Sequence, residues 1–374
     1  LDPSAKTLGD IPEFDLALAH RIYATLLDPV KSGWQQADSL LVVAHGPLGQ
    51  LPLALLPTKP VKLAPESGAI FSNYREVPWL ARTHAVTVLP SVASLATLRA
   101  LPPGDPGRRS FAGFGDPYFS PEQAARAAAR ESRPTEVAAL ATRGIPITLR
   151  SSPKTQEFDS SRLAMLPRLP DTADEIKSIA LAMNADLTRD VFLGPRANEK
   201  SVKTLDLSGY RVLAFATHGL VPGDLDGLTQ PALALSAPDV AGVDGDGLLT
   251  MEEILGLRLN ADWVVLSACN TASGQGTGSE AVSGLGRAFF YAGARALLVS
   301  NWPVETTSAR TLTTELFRRQ QATPGLGRAK AFQQTMNWLI DQGAYTDPTT
   351  QKVVFSYAHP IFWAPFSLIG DGGR

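Results

Sequence analysis

The chain has 374 residues, 44% of them hydrophobic and 19% charged, with a formal net charge of −2 and one cysteine. That length and balance describe an ordinary globular chain with core enough for one large α/β domain or two smaller ones, and the near-neutral charge gives no reason to expect nucleic-acid or anionic-membrane binding. One cysteine excludes an internal disulfide and any cysteine-pair zinc site, and no apolar run reaches the length that spans a bilayer, so a cytoplasmic location is expected.

The start, Leu1-Asp2-Pro3, has no methionine and no basic-then-apolar leader, so the sequence reads as processed or as a piece of a longer protein. Residues 12–27 carry a helical apolar stripe through Phe14, Leu16, Ala19, Tyr23 and Leu26, and Asp38 to Ala44 reads as a strand. Ala85 to Leu89 is strand-like and Ser91 to Ala100 helix-like. His45-Gly46 follows the first strand, but no thiol lies in this half, so His45 is read as structural. The run Leu101-Pro102-Pro103-Gly104-Asp105-Pro106-Gly107 continues neither helix nor central strand, which puts a boundary there: residues 1–104, then 105–374.

Ser110 to Gly115 opens the second unit as a strand, and Pro121 to Pro153 reads as a short helix within a long loop. That loop is taken as a surface insertion in preference to a processing or gating segment. Thr172 and Glu175 are spaced for a capping box on a helix through Met183, followed by a short strand over Asp190–Gly194 and a helix over Asn198–Leu205. Two continuous apolar runs then stand out, Leu213-Ala214-Phe215-Ala216-Thr217-His218-Gly219 and Trp263-Val264-Val265-Leu266-Ser267-Ala268-Cys269-Asn270-Thr271. Runs of this kind are buried strands of a parallel sheet, and alternating strand and helix argues for a doubly wound α/β fold.

Open parallel sheets carry their working residues at the carboxyl ends of the strands, where His218 and Cys269 both fall. A thiol at its free pKa is only a few per cent thiolate at neutral pH, and His218 is the base that could take its proton and later protonate a leaving amine. Gly219 and Cys269 could offer backbone N–H groups to a substrate oxygen. Asp224, Asp226, Glu280, Asn301 and Trp302 lie near these motifs in sequence and are candidate substrate-binding residues. An acid among them would favour a cationic group on a substrate, while a hydrophobic pocket stays open.

Two cofactor readings are weaker. Asp244, Asp246, Gly247 and Glu253 fall at EF-hand spacing, but Gly242 occupies the first ligand position and Thr250 with Glu253 makes a capping box. Gly274, Gly276 and Gly278 precede a helix over Glu280–Tyr291, with no Gly-Lys-Ser/Thr and no acidic ribose partner. No metal and no organic cofactor is expected. A strand over Ala296–Ser300, two helices over about 306–320 and 327–341, and a closing strand near Phe362–Ile369 complete the chain.

Cys269 follows His218 by 51 positions, close to the spacing of histidine and nucleophile in caspases, although only Ala-Cys of the caspase cysteine signature is present. Phe215-Ala216-Thr217-His218-Gly219, Val264 to Thr271, Arg287 to Arg295, Asn301-Trp302-Pro303-Val304 and His359 to Phe366 resemble, in that order, the motif blocks of the CHAT family of caspase-like cysteine peptidases. Leu41 to Leu48 fits its opening block more loosely. The resemblance implies a caspase-like, mostly parallel sheet flanked by helices, a Cys269–His218 dyad without an obligatory third carboxylate, and a protein substrate. It also implies regulated bacterial proteolysis, in defence or cell death, under a regulatory partner or an N-terminal repeat module. By analogy with separase, residues 1–104 would be an inactive caspase-like half. The competing expectation is a catalytically silent scaffold of the same fold.

Overall fold

The structure is a computed structural model that describes residues 6–130, 147, 163–225, 228–267, 281–347 and 350–373. The chain divides into two units. The first comprises Leu1–Arg99, Ala141–Leu149 and Val304–Arg374, and the second Ala100–Leu140 and Arg150–Pro303. The second unit begins at the proline- and glycine-rich run, and residues 304–374, which follow the His218 and Cys269 runs in sequence, group with the first unit.

In chain order the strands are β1 (Ser39–Val42), β2 (Ala85–Val88), β3 (Arg109–Gly115), β4 (Val191–Leu193), β5 (Tyr210–Ala216), β6 (Gly219–Leu220) and β7 (Ala232–Ala234). Then come β8 (Leu248–Thr250), β9 (Trp263–Leu266), β10 (Ala296–Ser300), β11 (Ala344–Thr346), β12 (Val353–Ser356) and β13 (Phe366–Gly370). The first unit holds the parallel set β1-β2-β13 and the antiparallel pair β11-β12. The second holds the parallel set β10-β9-β5-β3-β4, with β6, β7 and β8 as a small antiparallel sheet. The α/β class with a mostly parallel sheet, expected from the apolar runs, is what forms.

Side-chain size explains how the second unit's sheet is covered. Gly113 and Gly115 face the helix Asp171–Ala182, where an added Cβ on Gly113 would stand 2.7 Å from Ile176 and one on Gly115 would stand 3.1 Å from the Thr172 carbonyl oxygen. Without those carbons the helix sits close on β3 and buries Ile176 and Ile179. The alternate residues face the other way. Phe114 stacks between Phe192 and Phe215 at centroid distances of 4.8 and 5.2 Å, and Phe215 meets Phe289 of the helix Ala281–Ala292 at 5.7 Å. One aromatic column thus ties three neighbouring strands and a helix.

Register levels the carboxyl ends of these strands. Gly115 pairs with Ala216 and with Leu193, Leu266 pairs with Phe215, and Val299 pairs with Leu266. Asp116, His218, Ser267 and Asn301 therefore follow strands that end at one rim of the sheet.

Candidate active site

His218 is fixed by the way β5 ends. The Thr217 hydroxyl donates to the Ala234 carbonyl, the Ala234 N–H donates to the His218 carbonyl at 2.9 Å, and Gly219 pairs with Leu233. The chain passes directly from a central parallel strand into the small antiparallel sheet, so the histidine backbone is held on both sides. Its ring is 0% exposed. Nε2 lies 2.7 Å from the Pro167 carbonyl oxygen. A carbonyl can only accept, so Nε2 carries the hydrogen and, in the neutral ring, Nδ1 carries the lone pair. Phe119 tilts against the ring at 5.6 Å, among an apolar cluster of Leu166, Leu220, Leu225, Leu228 and Ala232.

The segment that offers the Pro167 carbonyl is itself tied at each neighbouring residue. Gln123 Nε2 donates to the Leu166 carbonyl at 2.7 Å, and its Oε1 accepts from the Phe119 N–H at 3.0 Å. The Arg168 guanidinium grips Asp116 with Nε and one terminal nitrogen, at 2.7 and 2.6 Å, and lies 4.7 Å over the Tyr118 ring. The Thr172 hydroxyl donates to the Leu169 carbonyl at 2.7 Å and accepts from the Asp116 N–H at 2.7 Å. Asp116 has a φ of 47°, a left-handed conformation that Asp and Asn tolerate better than most residues. Burial pushes its carboxyl above the usual range despite the pull of Arg168.

Thr172 and Glu175 do not form the expected capping box. The helix N-cap is Pro170, with no side-chain cap bond. Thr172 falls inside the first turn, where its hydroxyl reaches Leu169 and Asp116. Glu175, 0% exposed, accepts instead from the Ser267 hydroxyl at 3.1 Å. The Ser267 N–H bonds the Phe215 carbonyl at 3.0 Å, so the end of β9 is anchored two residues before Cys269. These roles of Glu175, Pro167 and Arg168 carry no motif, and sequence reading missed them.

Cys269, Asp226 and Glu280 lie outside the described residues, as does the glycine-rich run Gly274–Gly278. Of the other candidate residues, Gly219 is buried beside His218 and Asn301 is buried after β10. Trp302 is half-buried, and its indole N–H is shielded from solvent with no hydrogen-bond partner among the described residues. Asp224 is half-buried and accepts from the Val221 N–H at 2.8 Å, closing its own turn; burial pushes its carboxyl up.

The calcium spacing at Asp244–Glu253 is spent on other bonds. Glu199 accepts from the Asp246 and Gly247 N–H groups at 2.8 and 2.6 Å, Glu253 completes the capping box with Thr250, and Lys203 bridges Glu199 and Glu253. Among the described residues no group of three or more His, Cys, Asp or Glu side chains is placed to hold a metal ion. No helix among the described residues is long and apolar enough to cross a membrane.

A doubly wound α/β unit with a histidine at its carboxyl rim defines the class, and comparison with known proteins gives the family. The CHAT domain profile matches residues 16–371, so the chain belongs to the CHAT domain family. Tetratricopeptide repeat protein 28 of mouse is 32% identical over 128 residues, and its human counterpart 30% over 128 residues. Each match covers 33% of this chain and 4% of the relative. The chain thus spans a small fraction of the length of these relatives.

Proposed function

We propose that the chain is a cysteine endopeptidase in which Cys269 attacks the peptide carbonyl and His218 is general base and acid. The observation that carries this reading is the Pro167 carbonyl on His218 Nε2, which leaves the Nδ1 lone pair as the site for a proton. The thiol proton passes to Nδ1, the sulfur bonds to the carbonyl carbon, and the oxygen takes the displaced electron pair, facing the N–H groups of Gly219 and Cys269. The imidazolium then protonates the amine nitrogen as the C–N bond breaks, leaving a thioester. Water, deprotonated by Nδ1, cleaves the thioester, and the proton returns to sulfur. Asn301 and Trp302, just beyond β10, are the proposed substrate-binding residues, with Asp224, Asp226 and Glu280 the acids that would favour a basic residue before the cut. The chemistry needs no metal or organic cofactor.

Family membership and the similarity to tetratricopeptide repeat proteins support a repeat module or partner governing activity; the proposed setting is regulated proteolysis of a protein substrate in the bacterial cytoplasm. Residues 1–104 would then serve as an inactive caspase-like half. Labelling with a thiol-reactive peptide mimic tests the dyad: Cys269→Ala takes no label and His218→Ala labels far more slowly than wild type. Cleavage-site profiling with wild type and Cys269→Ala then identifies the residue before the cut. A second reading, a catalytically silent scaffold, is favoured by the complete burial of His218; equal labelling of wild type and His218→Ala would establish it.

A further inference from the structure

We propose that the Asp116–Arg168 ion pair is a positioning device that holds the Pro167 carbonyl on His218 and so fixes which imidazole nitrogen is the base. The inference rests on the dyad reading and adds two residues to it. The Pro167 carbonyl is the acceptor that sets the tautomer. A backbone carbonyl does this only while its segment stays in place. Leu166 and Leu169 are held by neutral hydrogen bonds, Leu166 through the Leu163 carbonyl and Gln123 and Leu169 through the N–H and hydroxyl of Thr172. Arg168, the residue next to Pro167, is held by two parallel charge-assisted bonds to a buried carboxylate, the stronger and more directional anchor. Asp116 directly follows β3, whose last residue Gly115 pairs with Ala216 of β5. The two ends of the clamp are therefore referenced to the same sheet rim as His218. Stacking of the guanidinium over Tyr118 fixes the plane of the fork, a geometry that lysine cannot reproduce.

The ion pair Arg189–Asp190 supplies a control, with Arg189 more exposed than Arg168 and Asp190 also bonded by the Tyr210 hydroxyl and the Asp186 N–H. It is also bidentate, at 2.8 and 2.7 Å, on a carboxylate as buried as that of Asp116, and it stands at the start of β4, away from the rim. Four variants are compared with wild type: Arg168→Lys, Arg168→Gln, Asp116→Asn and Arg189→Gln. Asparagine keeps the left-handed backbone accessible at position 116 while removing the charge and replacing one acceptor oxygen with an NH2 donor. Two readouts are taken, the rate of labelling by the peptide mimic and the imidazole ¹⁵N spectrum. His218 is assigned in that spectrum by its loss in His218→Ala.

The clamp predicts labelling slowed roughly 10-fold or more in the Arg168 and Asp116 variants, against the 10²–10⁴-fold expected for loss of the base itself. It also predicts a His218 signal that moves from the pure Nε2–H form toward a mixture, with Arg189→Gln matching wild type in both readouts. Wild-type labelling and an intact Nε2–H signal in Arg168→Gln and Asp116→Asn would overturn the clamp while leaving the dyad standing. Equal slowing in Arg189→Gln would overturn it as well, since any lost ion pair would then suffice. If His218→Ala labels like wild type the dyad reading fails, and the tautomer signal alone still decides the clamp.

Discussion

His45 and His218 have the same local sequence plan: a strand of a parallel set, then histidine, then glycine. Their surroundings differ. Among the described residues β1 pairs only with β2, of its four residues Leu40 alone is buried, and His45 emerges exposed before a short 3-10 turn that it does not cap with its side chain. β5 pairs on both sides, with β3 and β9, six of its seven residues are buried, and His218 is held by a carbonyl from a distant segment. A histidine-glycine pair becomes a candidate site when the strand before it is central and a second segment orients the ring.

The widest separation between the two is expected in reactivity. His218→Ala should slow labelling of Cys269 by about 10²–10⁴-fold, the usual contribution of a general base, while His45→Ala should label within about twofold of wild type. A loss at both positions would break the contrast. Stability should separate the two strands next. Phe215→Ala removes the middle of the aromatic column and should cost about 3–5 kcal/mol by urea denaturation, whereas Leu41→Ala on exposed β1 should stay within about 0.5 kcal/mol.

A third histidine sharpens the comparison through pH. His359 is buried among Phe71, Tyr74 and Phe362, its Nδ1 accepts from the Ile361 N–H, and burial pushes its pKa down to about 3. The folded state therefore favours the neutral ring. Its contribution is present above the unfolded value near 6.5 and is lost as pH falls from there toward 3. Between pH 7 and 5 unfolding free energy should drop by roughly 2 kcal/mol from this group, read from urea midpoints. His359→Asn keeps an N-cap acceptor but loses the ring contacts with Phe71, Tyr74 and Phe362, so it should be less stable at pH 7 and lack that share of the slope. The smallest effect is expected at Asp224, whose carboxylate is occupied by its own turn. Asp224→Asn retains an acceptor and should leave melting nearly unchanged while weakening the preference for a basic residue before the cut; an unchanged cleavage profile would remove Asp224 from the substrate pocket.

The central strands were legible because burial on both faces leaves an unmistakable apolar run: β5, β9 and β10 fall where Leu213, Val264 and Leu297 signal them. The proline-rich break at Leu101 was legible because those residues cannot continue regular structure, and no helix or strand runs through residues 101–107. Pro167 was not. Its role is played by a backbone carbonyl, which every residue owns, and only the folded path brings it to His218. Glu175 misled for a related reason, since its spacing from Thr172 satisfies a local pattern while a hydroxyl across the sheet competes for the same carboxylate. The closing region was shifted for want of a local signal: Pro360–Trp363 is helical and the strand starts at Phe366, and the pair β11–β12 was not anticipated.

The split make-up of the first unit bears on synthesis and on truncation. β2 finds its partner β13 only after the stretch from Val88 to Phe366 has left the ribosome, roughly 15–60 s later at common elongation rates, by which time all of Ala100–Pro303 is already available. A stop codon just before Phe366 would therefore spare every residue of the second unit yet strip a strand from the unit that was begun first.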